Sequence, residues 1–127
     1  MMDINFNELS SDALAYLGDC VIEMRVREYL VTHGVTTSGA LNKKSLDFVK
    51  AGAQAKAMLN ILPLLSPEEE AIYKRGRNKQ GGNIPKSASM SEYRSATGME
   101  VLFGYLHLKQ QYDRIGELFS VGYSIEN

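Results

Sequence analysis

Apolar positions recur at helical spacing along nearly the whole chain, and no stretch shows the strict alternation of a half-buried strand. Leu14, Leu17, Val21 and Met24 share one helix face, and Ala15, Ile22, Val26 and Leu30 lie near the opposite one. The segment from about Asp12 to His33 therefore predicts a helix that is apolar nearly all round, the kind that sits at the centre of a domain. Gly34 is its stop signal. A short helix is expected near Ser38–Lys44, then a longer alanine-rich one from about Ser45 to Leu62, ended by Pro63. Ser66-Pro67-Glu68-Glu69 reads as a capping box with proline at the first helical position, opening a helix to about Arg75. Ser89-Met90-Ser91-Glu92 repeats that pattern and opens a helix to about Gln110, and a last helix spans roughly Asp113 to Tyr123. The expected fold class is all-α, a helical bundle in one domain over residues 1–127 with its core at about 9–123. The only real loop is Gly76–Ala88.

Charge changes this picture more than composition does. The formal net charge of the 127 residues is −1, but residues 1–30 carry Asp3, Glu8, Asp12, Asp19, Glu23 and Glu28 against Arg25 and Arg27. Residues 71–86 carry Lys74, Arg75, Arg77, Lys79 and Lys86 and no acid. The chain thus has an acidic element and a basic one, concealed by a near-zero total. One cysteine, Cys20, excludes an intramolecular disulfide framework and a multi-thiolate zinc site. No segment approaches the length needed to span a bilayer, and the expected location is a reducing cytoplasm, with no membrane partner.

The candidate chemistry lies in two carboxylates set among apolar, glycine-containing helical segments. Asp19 closes Leu14-Ala15-Tyr16-Leu17-Gly18-Asp19, and Glu100 closes Tyr93-Arg94-Ser95-Ala96-Thr97-Gly98-Met99-Glu100. Asp12, Asp19 and Glu23 fall within about 40° on the first helix, on a stripe shared with Val26 and Leu30. Glu100 shares its stripe with Tyr93, Thr97, Gly104 and His107. Gly18, Gly98 and Gly104 remove side chains where two helices would otherwise be held apart. Two carboxylates about 4 Å apart repel by roughly 4 kcal/mol at an effective dielectric near 20, which a divalent cation would offset. A hard, oxygen-only site of one or two carboxylates suits Mg²⁺. The alternative is that Asp19 pairs with Arg25 or Arg94, and Glu100 with another base, both being ordinary surface acids.

The segments Leu14–Glu23 (LAYLGDCVIE) and Ala96–Leu108 (ATGMEVLFGYLHL) resemble the two acidic segments of the ribonuclease III domain. Between them, Lys74-Arg75-Gly76-Arg77-Asn78, Gly81-Gly82 and Pro85-Lys86 resemble a run found in the compact Mini-ribonuclease III branch, which lacks a double-stranded-RNA-binding domain. The resemblance extends from about Leu9 to Leu108 in consistent order. It implies an all-helical endonuclease domain that acts as a homodimer and cuts double-stranded RNA with Mg²⁺. It places Asp19 and Glu100 as catalytic metal ligands. Ala15 and Thr97 stand where the larger enzymes carry a glutamate and an aspartate, changes shared by the compact branch, and Asp12 stands where the larger family has another acid. Tyr16 would lie near the dimer interface.

Lys74, Arg75, Arg77, Asn78, Lys79 and Lys86 are the RNA-binding candidates, because bases interrupted by glycine and asparagine suit an arm that tracks phosphates. The implied substrate is precursor ribosomal RNA, as in 23S maturation; whether a ribosomal protein serves as accessory partner stays open. The rival reading is a non-catalytic RNA-binding or ribosome-associated helical module, in which the basic loop binds and the carboxylates serve structure. Tyr73, Tyr93, His33 and His107 are expected to be packing residues.

Overall fold

A computed structural model describes residues 4–79 and 89–126. Six helices carry the fold: α1 (Ser11–Thr32), α2 (Ser38–Val49), α3 (Ala51–Ile61), α4 (Pro67–Arg77), α5 (Met90–Leu108) and α6 (Tyr112–Tyr123). Short 3-10 turns precede α1 at Phe6–Glu8 and follow α3 at Leu62–Leu64, and the described residues contain no strand. Local chemistry fixes the helix starts. The hydroxyls of Ser10 and Thr37 accept from Ala13 and Ala40 N–H, and both expected capping boxes form, Ser66 with Glu69 and Ser89 with Glu92. Gly34 follows α1 at φ +89°, a left-handed conformation that glycine adopts without strain.

The break between α2 and α3 falls at Lys50, not between Lys44 and Ser45 as the sequence pattern suggested. Lys50 is extended, at φ −61° and ψ 147°, and serves both helices as a boundary. Tertiary contacts explain the placement. Phe48 packs among Tyr29, Phe119 and Tyr123, and the Tyr123 hydroxyl donates to the Phe48 carbonyl at 2.7 Å, taking one of the carbonyls left open at the end of α2. Pattern alone could not register a hydroxyl 75 residues away.

The central helix is α5, not α1. Residues Val101 to Leu106 are buried without interruption, and α5 packs against α1, α3, α4 and α6. By contrast α1 buries Leu14, Val21, Ile22, Val26 and Leu30 on one side while leaving Tyr16 86 %, Met24 56 % and Val31 59 % exposed. The apolar residues that made α1 look fully enclosed form a second stripe on the molecular surface.

Two glycines determine how closely α1 and α5 approach. A Cβ on Gly18 would overlap the Glu100 carbonyl oxygen, and one on Gly104 would overlap the Leu14 carbonyl oxygen and lie 3.0 Å from the Gly18 nitrogen. The pairing of 18 with 100 and of 14 with 104 makes the two helices antiparallel at the crossing. On the far side of α5, Gly98 and Gly76 make the equivalent approach to α4, with a Cβ on Gly98 meeting Tyr73 at 2.6 Å.

α4 is held at its other end by polar struts. Glu69, almost wholly buried, accepts from Arg114 at 2.9 and 2.8 Å while Arg114 also donates to the Leu64 carbonyl at 2.8 Å. The Arg114 hydrogen bonds hold the Glu69 carboxyl below its ordinary pKa despite burial.

Replacing Gly104 by alanine should force the α1 and α5 backbones apart. The overpacking is expected to cost about 2 kcal/mol or more, a loss of roughly 8 °C in Tm by thermal denaturation. Gly39, whose Cβ would meet nothing within 4 Å in α2, is the control. Gly39→Ala should be neutral or stabilising by up to about 1 kcal/mol.

Candidate active site

The α1–α5 crossing places Asp19 and Glu100 side by side, one residue along from Gly18 on one helix and on the backbone that Gly18 touches on the other. Their side chains are hydrogen-bonded to each other. Asp19 is exposed and Glu100 half-buried, so the pair lies at the rim of the helix interface and not inside it, as the apolar flanks suggested. Burial first, then the Asp19 charge and the hydrogen bond to Asp19, pushes the Glu100 carboxyl up to about 8. Glu100 therefore keeps its proton at neutral pH.

No base neutralises them. Among the described residues neither acid takes part in an ion pair within 4.0 Å. Arg25 donates to the Tyr112 carbonyl at 2.9 Å, and exposed Arg94 has no partner among the described residues. The pairing of Asp19 with either arginine, an open alternative on sequence grounds, is absent. A cation therefore has a place: two adjacent carboxylates, one open to water, fit a hard divalent ion that retains part of its hydration shell. The donor set is small, since no group of three or more His, Cys, Asp or Glu gathers among the described residues. Thr97, one turn before Glu100, donates its hydroxyl to the Tyr93 carbonyl at 3.0 Å and adds no charge.

Asp12 does not join the pair. Its carboxylate meets Lys79 Nζ at 2.6 Å, tying the first turn of α1 to the end of α4.

The basic candidates are placed differently from a free arm. Lys74, Arg75 and Arg77 belong to the last turns of α4, which runs two residues further than expected, and Asn78 is its C-cap. Lys74 pairs with Glu70 at 2.8 Å, and Arg77 lies over the Tyr73 ring at 5.8 Å with its Nε 3.3 Å from Asn78 Oδ1. Arg75 departs most from the expectation. Its guanidinium donates to the Asn7 carbonyl at 2.9 Å, to the Leu9 carbonyl and to Ser11 Oγ at 3.3 Å, so it clamps the segment before α1 and is occupied by backbone. A positive charge in a run gave no hint of this, because its partners lie about 65 residues upstream. Lys86, Gly81-Gly82 and Pro85 lie outside the described residues. Arg94, set aside as a counterion for Asp19, is the basic residue that sequence reasoning missed as a surface group. The signal was its position three residues before Thr97 on the helix that carries Glu100.

Tyr73 is buried and its hydroxyl lies 3.2 Å from Ser95 Oγ, and His33 stacks on Tyr29 with centroids 4.1 Å apart. His107 packs edge-on to Tyr112. Tyr93 is half-buried beside Thr97. Tyr73 is thus a packing residue, whereas Tyr93 and His107 are half-buried and His33 is exposed. Tyr16, Cys20, Met24 and Tyr112 form an exposed, largely apolar surface beside a recess of about 300 Å³ lined by Leu17, Met24, His107 and Ile115. No helix among the described residues is long and apolar enough to cross a membrane.

Residues 12–111 match the family described as Ribonuclease III domain. The chain is 43 % identical over 118 residues to Mini-ribonuclease 3 of Enterococcus faecalis, across 91 % of this chain and 89 % of the relative. It is 42 % identical over 105 residues to Mini-ribonuclease 3 of Symbiobacterium thermophilum, across 83 % of this chain and 81 % of that one. A Fusobacterium nucleatum protein of known crystal structure superposes with a TM-score of 0.84 at 28 % identity, covering 94 % of this chain and 95 % of the other. The two acidic segments, their meeting at a glycine crossing and these relatives agree: the chain belongs to the ribonuclease III family, in its Mini-ribonuclease 3 branch, and is an endoribonuclease.

Proposed function

We propose that the enzyme is a Mg²⁺-dependent homodimer that cuts double-stranded RNA, with precursor 23S ribosomal RNA as its substrate, and that Asp19 and Glu100 hold the metal. The observation that carries this reading is the Asp19–Glu100 pair: two interacting carboxyl groups that form no ion pair among the described residues, at a solvent-facing rim. Bound divalent ion would supply Lewis-acid polarisation of the phosphate and a water of lowered pKa. The protein's own contribution is geometric. Gly18 and Gly104 fix the two backbones, Glu100 is held between helices, and Asp19 stands at the open edge where a phosphodiester can approach. Lys74, Arg77 and Lys79 at the end of α4, joined by Arg94, offer charge to neighbouring phosphates, and Lys86 belongs to the same basic run. A-form RNA is read by shape across its minor groove and phosphates, which needs no base-edge contacts from so small a domain.

The exposed stripe of Tyr16, Cys20 and Met24 supports the homodimer. A two-fold axis relates two sites with the same polarity as two antiparallel strands, so one small domain repeated once addresses both. A cytoplasmic site of action accords with this substrate. A ribosomal protein as accessory partner is compatible with the unpaired basic groups but has no observation of its own.

Asp19→Asn and Glu100→Gln should each lower kcat on long duplex RNA by about 10³-fold or more. Calorimetric Mg²⁺ binding should be lost in step, with circular dichroism and gel retardation of RNA unchanged. Cleavage by either variant at the parental rate would remove the site assignment, and RNA retention without any cleavage by the parent protein would favour the non-catalytic binder.

The raised Glu100 pKa makes a pH signature. In metal-free protein Glu100 binds a proton that the unfolded chain releases above 4.5, so its contribution to stability is full below that value and fades as pH rises through about 8. A divalent ion must displace that proton. The Tm gain on adding Mg²⁺ should therefore grow between pH 6 and pH 8, and Glu100→Gln should flatten both trends. A metal-induced Tm gain independent of pH would contradict a protonated Glu100.

Among the bases, Lys74→Ala, Arg77→Ala and Lys79→Ala combined should weaken binding to all duplex sequences and lower the slope of log K against log salt by about 2–3. Arg75→Ala should instead lower Tm and leave that slope unchanged, since its donors are spent on Asn7, Leu9 and Ser11. An unchanged slope in the triple variant would return the run to a merely solvated face.

A further inference from the structure

We infer that Asp12 is a positioning residue for RNA, acting through Lys79, and not a ligand of the catalytic metal. This rests on the assignment of Lys79 as a phosphate contact. Asp12 and Asp19 are seven residues apart on α1, two turns, so they occupy one stripe about 10 Å apart along the helix axis. That span exceeds what one ion coordinated by Asp19 and Glu100 can bridge, since metal–oxygen distances are about 2 Å.

What Asp12 does reach is Lys79. Asp12 Oδ1 lies 2.6 Å from Nζ, the lysine side chain being 26 % exposed and the aspartate 78 %. The Lys79 side chain is thus largely covered, and its ammonium sits beside Asp12, on the stripe that carries Asp19. The hydrogen bond to Asp12 raises the Lys79 pKa and keeps the group cationic. One of three ammonium donors goes to Asp12, leaving two for an incoming phosphate. Lys79 stands just past the end of α4, where no helical hydrogen-bond ladder continues, so without a partner its long side chain would sample many rotamers.

The neighbouring contacts serve the same placement. Arg75 grips Asn7, Leu9 and Ser11, the residue immediately before Asp12, and so fixes where α1 begins relative to the end of α4. Tyr93, on the α5 stripe that leads to Glu100, is the other titratable group facing Lys79. The cationic group is therefore bracketed by α1, α4 and α5, the helices that build the site. An ion pair whose carboxylate is this exposed adds little to folding stability, which separates its positioning role from a structural one.

The test is a double-mutant cycle on cleavage of long duplex RNA with Asp12→Asn, Lys79→Ala and the pair, alongside Asp12→Glu, each with a Tm and a calorimetric Mg²⁺ titration. The expected result is KM raised about fivefold in each single variant with kcat within about twofold, and no further rise in the double variant. Asp12→Glu should recover most of the loss, and Tm and Mg²⁺ affinity should stay at parental values. A lowered kcat with weakened Mg²⁺ binding in Asp12→Asn would make Asp12 a metal ligand and overturn the inference. Additive KM effects, or a normal KM in Asp12→Asn beside a raised one in Lys79→Ala, would overturn it while leaving Lys79 on the RNA. A normal KM in Lys79→Ala would overturn the phosphate assignment itself.

Discussion

Contact between the backbones of α1 and α5 is the constraint on which the rest of this molecule depends. Gly18 lies against the Glu100 carbonyl and Gly104 against that of Leu14, distances at which no side chain fits. Glycine weakens a helix interior by about 1 kcal/mol relative to alanine. The loss is offset by the packing of Leu14, Ile22 and Val26 of α1 against Met99, Phe103 and Leu106 of α5, all fully or almost fully buried. The same contact has a chemical consequence. With the helix axes this close, Asp19 and Glu100 are pressed into hydrogen-bonding distance, and the burial of Glu100 is set by the neighbouring helix and not by its own flanks. Core packing and the carboxyl pair proposed as the active site are one geometric event.

The parts of this architecture that were legible in the sequence are those that depend on local chemistry. Ser66-x-x-Glu69 and Ser89-x-x-Glu92 announced two helix starts because a capping box closes within four residues. The two acidic segments were legible because each couples a carboxylate to a nearby glycine. What the sequence concealed was decided by distant partners. The break at Lys50 follows from Tyr123 reaching the Phe48 carbonyl, and Arg75 is turned from an RNA contact into a clamp by Asn7 and Leu9. The centrality of α5 over α1 was ambiguous for a related reason: a helix apolar on two sides can be enclosed by its own chain or can leave one side, here Tyr16, Cys20 and Met24, on the surface.

Charge is segregated along the chain but not in space. The acidic first helix and the basic end of α4 meet through Asp12 and Lys79, and Glu70 faces Lys74 one turn apart. Surface pairs of this kind contribute little to stability. Their effect is on availability, since a base held by an exposed carboxylate stays oriented yet can exchange that partner for a phosphate. Asp19 and Glu100 take no part in this pairing and face each other instead.

The uncharged residues at positions 15 and 97 make physical sense in this setting. Ala15 and Thr97 both lie half-buried, Ala15 within one turn of Asp19 and Thr97 within one turn of Glu100. A carboxylate at either position would add a further negative charge to a pair that already holds a proton up to about pH 8. At an effective dielectric near 20, each extra charge within about 5 Å would cost on the order of 3 kcal/mol before any metal arrived. Thr97 avoids this by donating its hydroxyl to the Tyr93 carbonyl, and Ala15 by having nothing to ionise. A domain of this size, whose folding free energy is only of order 10 kcal/mol, has little room for four uncompensated carboxylates at its central helix crossing. Two of them, one at the open edge and one able to stay protonated at neutral pH, are what such a fold can hold without a bound counter-charge.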